Sequence, residues 1–163
     1  MERKLTESLA KGRSKCDRID LIKNLNVWGS DLNDISIVRG MPNIEILSLS
    51  FNKIRTLADI AYCKKLKELY IRENLIADVR EILHLKSCSK LHTLWFKENY
   101  CSKLTDYRLY VIKNLPGLRK LDNEEITDEE RKLAESLDYE FDMQGYQPDL
   151  SSLTESSPTQ DRA

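Results

Sequence analysis

A spaced pattern of leucines recurs along most of this chain and limits what it can fold into more than any other feature. The pattern is L-x-x-L-x-L-x-x-N-x-L, with Ile, Val, Phe or Cys also present at the leucine positions. Its copies begin near residues 22, 44, 66 and 91, and a fifth, partial copy begins at residue 118. The steps between copies are 22, 22, 25 and 27 residues. A period of this length predicts an array of stacked units, each of which buries its apolar face against its neighbours.

Each unit is predicted to contain one short strand and one helical turn. In L-x-L the two leucines point into the core, and strands of successive units stack as a parallel sheet about 4.8 Å apart. Further along each unit the apolar residues recur every three positions, which is typical of 3₁₀ turns, and α-helical turns are expected near residues 79–87 and 106–115. We therefore predict an α/β solenoid with a short curved parallel sheet on its concave side and helical turns on its convex side.

A polar position recurs just after each predicted strand, and it is Asn in every complete copy after the first. An asparagine amide both donates and accepts hydrogen bonds, so it can satisfy buried backbone groups of neighbouring units. We predict a structural ladder along the array, in which the serine of the first unit replaces the amide only partly. Its members are Ser30, Asn52, Asn74 and Asn99.

The two open ends of such an array must be covered. We predict an N-terminal capping helix over 1–21, repeats over 22–117, a C-terminal cap over 118–142, and a disordered tail over 143–163. In the C-terminal cap, Thr127 is the expected N-cap of a helix, with Glu130 three residues later. Leu133 and Leu137 are expected to continue the apolar face of that helix.

The net charge of −1 hides an asymmetry between the two parts of the chain. Residues 1–120 carry 23 Lys and Arg against 14 Asp and Glu, whereas residues 121–163 carry 3 against 13. The cations are scattered through the repeats, as on a solvated surface, so the charge pattern does not indicate nucleic acid as a partner. No apolar run is long enough for a membrane helix, and no apolar core follows the basic residues near Met1, which predicts a cytoplasmic protein that does not bind membranes.

The sequence indicates neither a metal or cofactor site nor catalysis. The four cysteines form no Cys-x-x-Cys pair, and the two histidines do not complete a usual ligand spacing. We therefore expect reduced thiols, with Cys63, Cys88 and Cys101 at apolar positions of the repeat. No nucleophile elbow, phosphate-binding loop or paired carboxylates occur, so the predicted function is not enzymatic.

The side chains beside the core leucines are predicted to lie on the exposed, concave face of the sheet. They include both tryptophans of the chain, and the predicted binding residues are Trp28, Ile46, Tyr70, Arg72, Trp95 and Lys97. Strand geometry requires no aromatic residue here, and Trp, Tyr and Arg are enriched at binding hot spots. We predict that this face binds a protein; the alternative is that the rings only cover the sheet, with lysine stems packed at their edges. Phe51 is expected at the rim of the core.

The repeat resembles that of leucine-rich-repeat proteins. Two further stretches of the sequence resemble particular subgroups of this family. Tyr107-Arg108, Leu115-Pro116, Leu121-Asp122 and Ile126-Thr127-x-Glu129-Glu130-Arg131 resemble the cap of a subgroup that includes the spliceosomal U2 A-prime protein, acidic nuclear phosphoproteins and many ciliary proteins. The run Leu25-Asn26-x-Trp28-Gly29-Ser30-x-Leu32 is similar to leucine-rich-repeat proteins of cilia and flagella.

The ciliary resemblance implies a scaffold of the cilium or flagellum and its basal body, connected with the cytoskeleton and cilium assembly. It also implies protein partners, including a NIMA-family kinase, and oligomerisation only where a C-terminal helical segment is present in the full-length protein. The alternative is a U2 A-prime-like module that holds an RNA-binding protein partner in the nucleus. The Trp-Gly-Ser of the first repeat favours the ciliary interpretation, whereas strongly salt-dependent RNA binding would favour the alternative.

Overall fold

The strands of the repeat form one sheet in chain order, as seen in a computed structural model that describes residues 1–137. Four successive pairs are parallel, and the last strand pairs antiparallel with the one before it. The strands are β1 (Asn24–Asn26), β2 (Ile46–Ser48), β3 (Glu68–Tyr70), β4 (Thr93–Trp95), β5 (Lys120–Leu121) and β6 (Glu124–Glu125). The helices are α1 (Glu7–Ser14), α2 (Tyr107–Asn114) and α3 (Asp128–Ser136). The predicted α/β solenoid is confirmed.

The register of the sheet follows the repeat. Leu25 pairs with Leu47, Leu47 with Leu69, and Leu69 with Leu94, and all of these side chains are fully buried. The next apolar residue of each unit is buried as well, as at Val27. The core therefore lies between the sheet and the convex turns, and the intervening strand side chains project to the concave side.

The convex side is built mainly of 3₁₀ turns. They span Ser36–Gly40, Ala58–Tyr62, Val79–Ser87 and Tyr100–Lys103, and a further turn at Ile19–Leu21 precedes β1. The expected α-helical turn near residues 79–87 is wrong, because this segment is 3₁₀ throughout. Val79, Ile82 and Leu85 recur every three residues, so three residues per turn keeps all of them on the core, whereas 3.6 residues per turn would rotate them away. The expected α-helix near 106–115 is present as α2.

The N-terminal cap contains a shorter helix than the predicted helix over 1–21. Helix α1 begins after Thr6, whose hydroxyl accepts a hydrogen bond from the Leu9 N–H at 3.1 Å. It ends at Lys15, which adopts a left-handed conformation with φ 57°, a usual way of terminating a helix. Before the helix, Lys4 forms a parallel bridge with Asp34, so the chain start covers the first unit as an extended segment.

The C-terminal cap closes the array with α3 and with the hairpin of β5 and β6. The predicted capping box is confirmed: Thr127 and Glu130 each bond the other's backbone N–H, at 3.1 and 3.2 Å. The predicted apolar face is wrong at Leu133, which is 50% exposed, whereas Ala134 is fully buried. One helical residue turns the chain by about 100°, and packing of α3 on α2 selects the Ala134 side.

Residues 138–163 lie outside the described part of the chain, and with them the end of the predicted cap and the whole predicted tail. Within residues 1–137, no helix combines the length and the apolar character that crossing a membrane requires.

Candidate protein-binding face

The asparagine ladder fixes the backbone just after each strand by hydrogen bonds. The residues of the candidate face lie on these strands and in the turns that follow them. The Asn52 amide donates to Leu49 O at 2.8 Å in its own unit and to Val27 O at 3.1 Å in the preceding one. Asn74 and Asn99 make the same pair of bonds, each to its own unit and to the unit before. The shorter side chain of Ser30 does not make this pair of bonds. Its hydroxyl donates to Trp28 O at 3.4 Å, and its backbone N–H donates to the Asn52 Oδ1.

The residue before each ladder position adopts a left-handed backbone conformation. The φ angles lie between 54° and 64° at Gly29, Phe51, Glu73 and Glu98. Only glycine adopts this conformation without a steric penalty, which for other residues is about 1–2 kcal/mol. The turn reverses the chain at the strand end, and at Phe51 it brings a large ring beside the concave face.

Five side chains form a continuous group on the concave side, which we call the concave cluster: Trp28, Phe51, Tyr70, Arg72 and Trp95. The rings of Trp28 and Phe51 lie 5.0 Å apart, and those of Tyr70 and Trp95 lie 6.5 Å apart. The Arg72 guanidinium joins the two pairs, because its carbon lies 5.3 Å from the Phe51 ring centre and 5.2 Å from that of Trp95. The cluster therefore extends from the first repeat to the fourth.

Arg72 is the centre of this arrangement. Its terminal nitrogen Nη2 forms an ion pair with the carboxylate of Glu98, which belongs to the next repeat. Its Nε is buried and has no hydrogen-bond partner among the described residues. Cation–π contacts on two rings and the ion pair hold the guanidinium in one orientation.

Tyr70 supplies a neutral polar group in the part of the concave cluster that it forms with Trp95. Its hydroxyl donates to the Glu68 carboxylate at 2.5 Å. Burial, and then this hydrogen bond to a carboxylate, raise the pKa of Tyr70 to about 12. The phenol therefore stays protonated at physiological pH, so the ring is held in place without a charge of its own.

Four of the six residues predicted for this face belong to the concave cluster, and the other two lie on β2 and just after β4. Ile46 is half-buried on β2, in register with Asn24 and Glu68. Lys97 is exposed on the row of Arg72, and its backbone N–H donates to Asp122 at 2.8 Å.

Phe51 is the member of the concave cluster that sequence reasoning missed. Its ring contacts Trp28 and Arg72 on the concave side. One feature of the sequence could have identified it: Phe51 occupies the repeat position that Gly29, Glu73 and Glu98 occupy in the other units. A position that accepts Gly and Glu is not a core position, so a large ring there is available for a surface contact.

The cysteines and acidic groups of residues 1–137 form no metal site. Among residues 1–137, no group of three or more His, Cys, Asp or Glu side chains could hold a metal ion. Cys63, Cys88 and Cys101 are buried free thiols, and Cys16 is partly exposed. Burial raises the pKa of Cys63 to about 12, so this thiol is protonated and unreactive at neutral pH.

Comparison with known proteins agrees with the repeat and the cap. The leucine-rich repeat family model matches residues 7–144. Cilia- and flagella-associated protein 410 of Mus musculus is 43% identical over 129 residues, which are 78% of this chain and 52% of the relative. The Homo sapiens protein of the same name is 42% identical over 129 residues, 78% of this chain and 50% of the relative. The chain thus spans about half the length of these curated relatives.

Among solved structures, the Drosophila melanogaster SNF/U2A' complex contains a similar chain, with a TM-score of 0.64 and 20% identity. The match covers 82% of this chain and 91% of that one, and it shows the fold alone. Since the family model covers most of the sequence and the sheet has the expected register, the chain belongs to the leucine-rich-repeat family.

Proposed function

We propose that this chain is a non-enzymatic interaction module of the cilium or flagellum and its basal body, and that it binds a protein segment on its concave face. The similarity to cilia- and flagella-associated protein 410 from two mammals supports the ciliary part of the proposal. A NIMA-family kinase is the partner that the ciliary resemblance implies. The concave cluster carries the proposal for the binding surface.

The concave cluster has the composition of a binding hot spot. Tryptophan, tyrosine and arginine dominate such sites because they combine large contact areas with polar groups of defined direction. Here the rings are only partly buried, and the Arg72 Nε lacks a partner. A bound segment could therefore bury the part of the rings that is still exposed.

The size of the face fits a short segment. Three strand steps separate the first repeat from the fourth, about 14 Å at sheet spacing. This length accommodates a helical turn or an extended stretch, but it is smaller than a standard interface of about 800 Å² per partner. Further contacts are expected at the strand-end loops, where Lys97 follows β4, and at Ile46, which begins β2.

The test is proximity labelling in ciliated cells, combined with fluorescence localisation, of the wild-type chain and of Trp95→Ala. We expect the substitution to abolish recovery of ciliary partners with little change in melting temperature, because the Trp95 ring lies outside the core. Tyr62→Ala is the matched control, because Tyr62 is 51% exposed on the convex side. Like Trp95, its ring contacts an arginine, since the Arg39 guanidinium carbon lies 4.7 Å from the ring centre. Retention of every partner by Trp95→Ala would refute the concave site.

A charge variant tests the polar part of the same face. Replacing Arg72 and Lys97 together by alanine should weaken partner binding and make it less sensitive to salt, since both side chains are cationic. Unchanged salt dependence would show that the partner contacts another surface.

A further inference from the structure

An apolar cleft opens at the opposite ends of the strands from the asparagine ladder. It lies between the end of the 3₁₀ turn Val79–Ser87 and the loop after α2, with a volume of about 320 Å³. Leu85, Cys88 and Leu91 line one side, and Leu115, Pro116 and Leu118 line the other. Ser89 and Asn114 also line the cleft, so its walls are mainly aliphatic side chains, with a thiol, a proline ring and two neutral polar side chains. The volume lies at the lower end of the range for ligand pockets, enough for one or two side chains.

Basic residues line this cleft and lie beside its lining residues in the sequence. Lys86 lines it, and Lys90 and Arg119 are exposed in the two loops that form it. Neither loop, residues 86–92 or residues 115–120, contains an aspartate or a glutamate. Burial raises the pKa of the Cys88 thiol, and the Lys64 ammonium of the preceding unit is close enough to oppose this shift.

We propose that this cleft, which we call the basic cleft, is a second docking site, and that it takes an acidic protein segment carrying one aliphatic anchor side chain. The anchor fills the space between Leu91 and Leu115, and flanking carboxylates pair with Lys86 and Lys90. The site is independent of the concave cluster, since it lies before β4 and β5 begin rather than on the exposed face of the sheet.

The lining argues for a peptide rather than for other anionic partners. Single-stranded nucleic acid is usually bound by aromatic platforms on which bases stack, and no aromatic residue lines this cleft. A bilayer is bound by an extended amphipathic or basic surface, whereas a walled cleft of this size takes an individual side chain. An acidic segment with a leucine-like anchor matches both the charge and the shape.

The test is fluorescence anisotropy with the full chain and a fluorescein-labelled peptide of glutamates around a single central leucine. A second peptide has alanine in place of the leucine. We expect the leucine peptide to bind about tenfold more tightly, because only its side chain fills the apolar cleft. The double variant K86E and K90E should weaken binding by about tenfold or more. Its matched control is R55E and K103E, at exposed positions that do not line the cleft, and it should change the affinity by less than about twofold.

A steric variant tests the cleft without altering charge. Gly117 lines the cleft, and a Cβ there would meet no atom within 4 Å, so Gly117→Leu should fold normally and obstruct the cleft. Gly12→Leu is its control, because a Cβ at Gly12 likewise meets nothing within 4 Å. We expect only Gly117→Leu to reduce binding of the leucine peptide. Neither variant should melt below the wild type, and Gly12→Leu should melt slightly higher, because leucine favours helix α1 more than glycine does.

Three results would overturn the proposal. The first is equal affinity for the leucine and alanine peptides, and the second is equal weakening by the two charge variants. The third is binding of polyuridylate or phosphatidylserine vesicles that depends on Lys86 and Lys90 while the acidic peptides do not bind. Failure of the concave site would leave these measurements unaffected, because W95A is expected to bind the leucine peptide as the wild type does.

Discussion

Replacing Asn74 by alanine measures what the asparagine ladder contributes to stability. Asn74 is 5% exposed, and its Oδ1 accepts a hydrogen bond from the Ile54 N–H at 3.0 Å. Its Nδ2 donates to Leu49 O at 3.0 Å and to Ile71 O at 3.2 Å. Alanine removes the whole amide, so all of these bonds are lost together.

The backbone groups that lose a hydrogen bond to Asn74 differ in whether they keep another partner. Leu49 O keeps Asn52 as a donor at 2.8 Å, and Ile71 O keeps Asn99 at 3.0 Å. The Ile54 N–H, on a residue that is 1% exposed, loses the acceptor that the structure describes for it. A buried donor without a partner costs about 1–3 kcal/mol, so with the other lost bonds we expect a decrease of about 2–3 kcal/mol in the free energy of unfolding.

The assay is urea-induced unfolding followed by circular dichroism, with Asn24→Ala as the control. Asn24 is exposed on β1, so its replacement should change the free energy by less than about 0.5 kcal/mol. Equal losses at the two sites, or a loss below about 0.5 kcal/mol at Asn74, would refute the argument from the buried Ile54 N–H.

A second variant, Asn74→Asp, separates the acceptor from the donor. It keeps an acceptor for the Ile54 N–H but places a buried carboxylate against the carbonyls of Leu49 and Ile71. Burial and these carbonyls should raise the pKa of the new carboxyl in the folded state above its value in the unfolded state. The variant should therefore be most stable below the unfolded-state pKa and lose stability as the pH rises through the folded-state pKa. A stability independent of pH would contradict this reasoning.

Three further predictions concern other parts of the chain. With a thiol reagent at about pH 8, Cys16 should react in the native protein, whereas the three buried cysteines should react only on unfolding; fast reaction of all four would contradict their burial. The Arg108 guanidinium lowers the pKa of Glu130, so the pair stabilises the fold above the unfolded-state pKa of Glu130 and loses that effect as the pH falls. Glu130→Gln should therefore flatten the decline in melting temperature between about pH 5 and 3, and identical pH profiles would argue against the pair. A chain ended after residue 142 should melt within about 2 °C of the full chain, because few apolar residues follow; a larger decrease would show that the following residues dock on the repeats.

The repeat made the sheet predictable from sequence, including which residues share a row. In a solenoid each unit contacts mainly its neighbours, so the period alone sets Leu47 opposite Leu25 and Leu69. The same reasoning located Trp28, Tyr70, Arg72 and Trp95 on one face of the sheet, but it does not test whether that face binds a partner.

The sequence by itself determined the period, the strand register and the positions of the ladder, because these depend on spacing. The tertiary structure decided where side chains meet across units. Phe51 joins the concave cluster through a left-handed backbone conformation at φ 61°. The Ser-Phe-Asn sequence by itself does not indicate this conformation, and only the alignment of Phe51 with Gly29 in the repeat points to it. Leu133 is exposed and Ala134 is buried because the packing of α3 on α2 selects one side of the helix. The basic cleft likewise exists only because the loop after α2 packs against the end of the Val79–Ser87 turn, a contact between segments some 30 residues apart that local sequence does not encode.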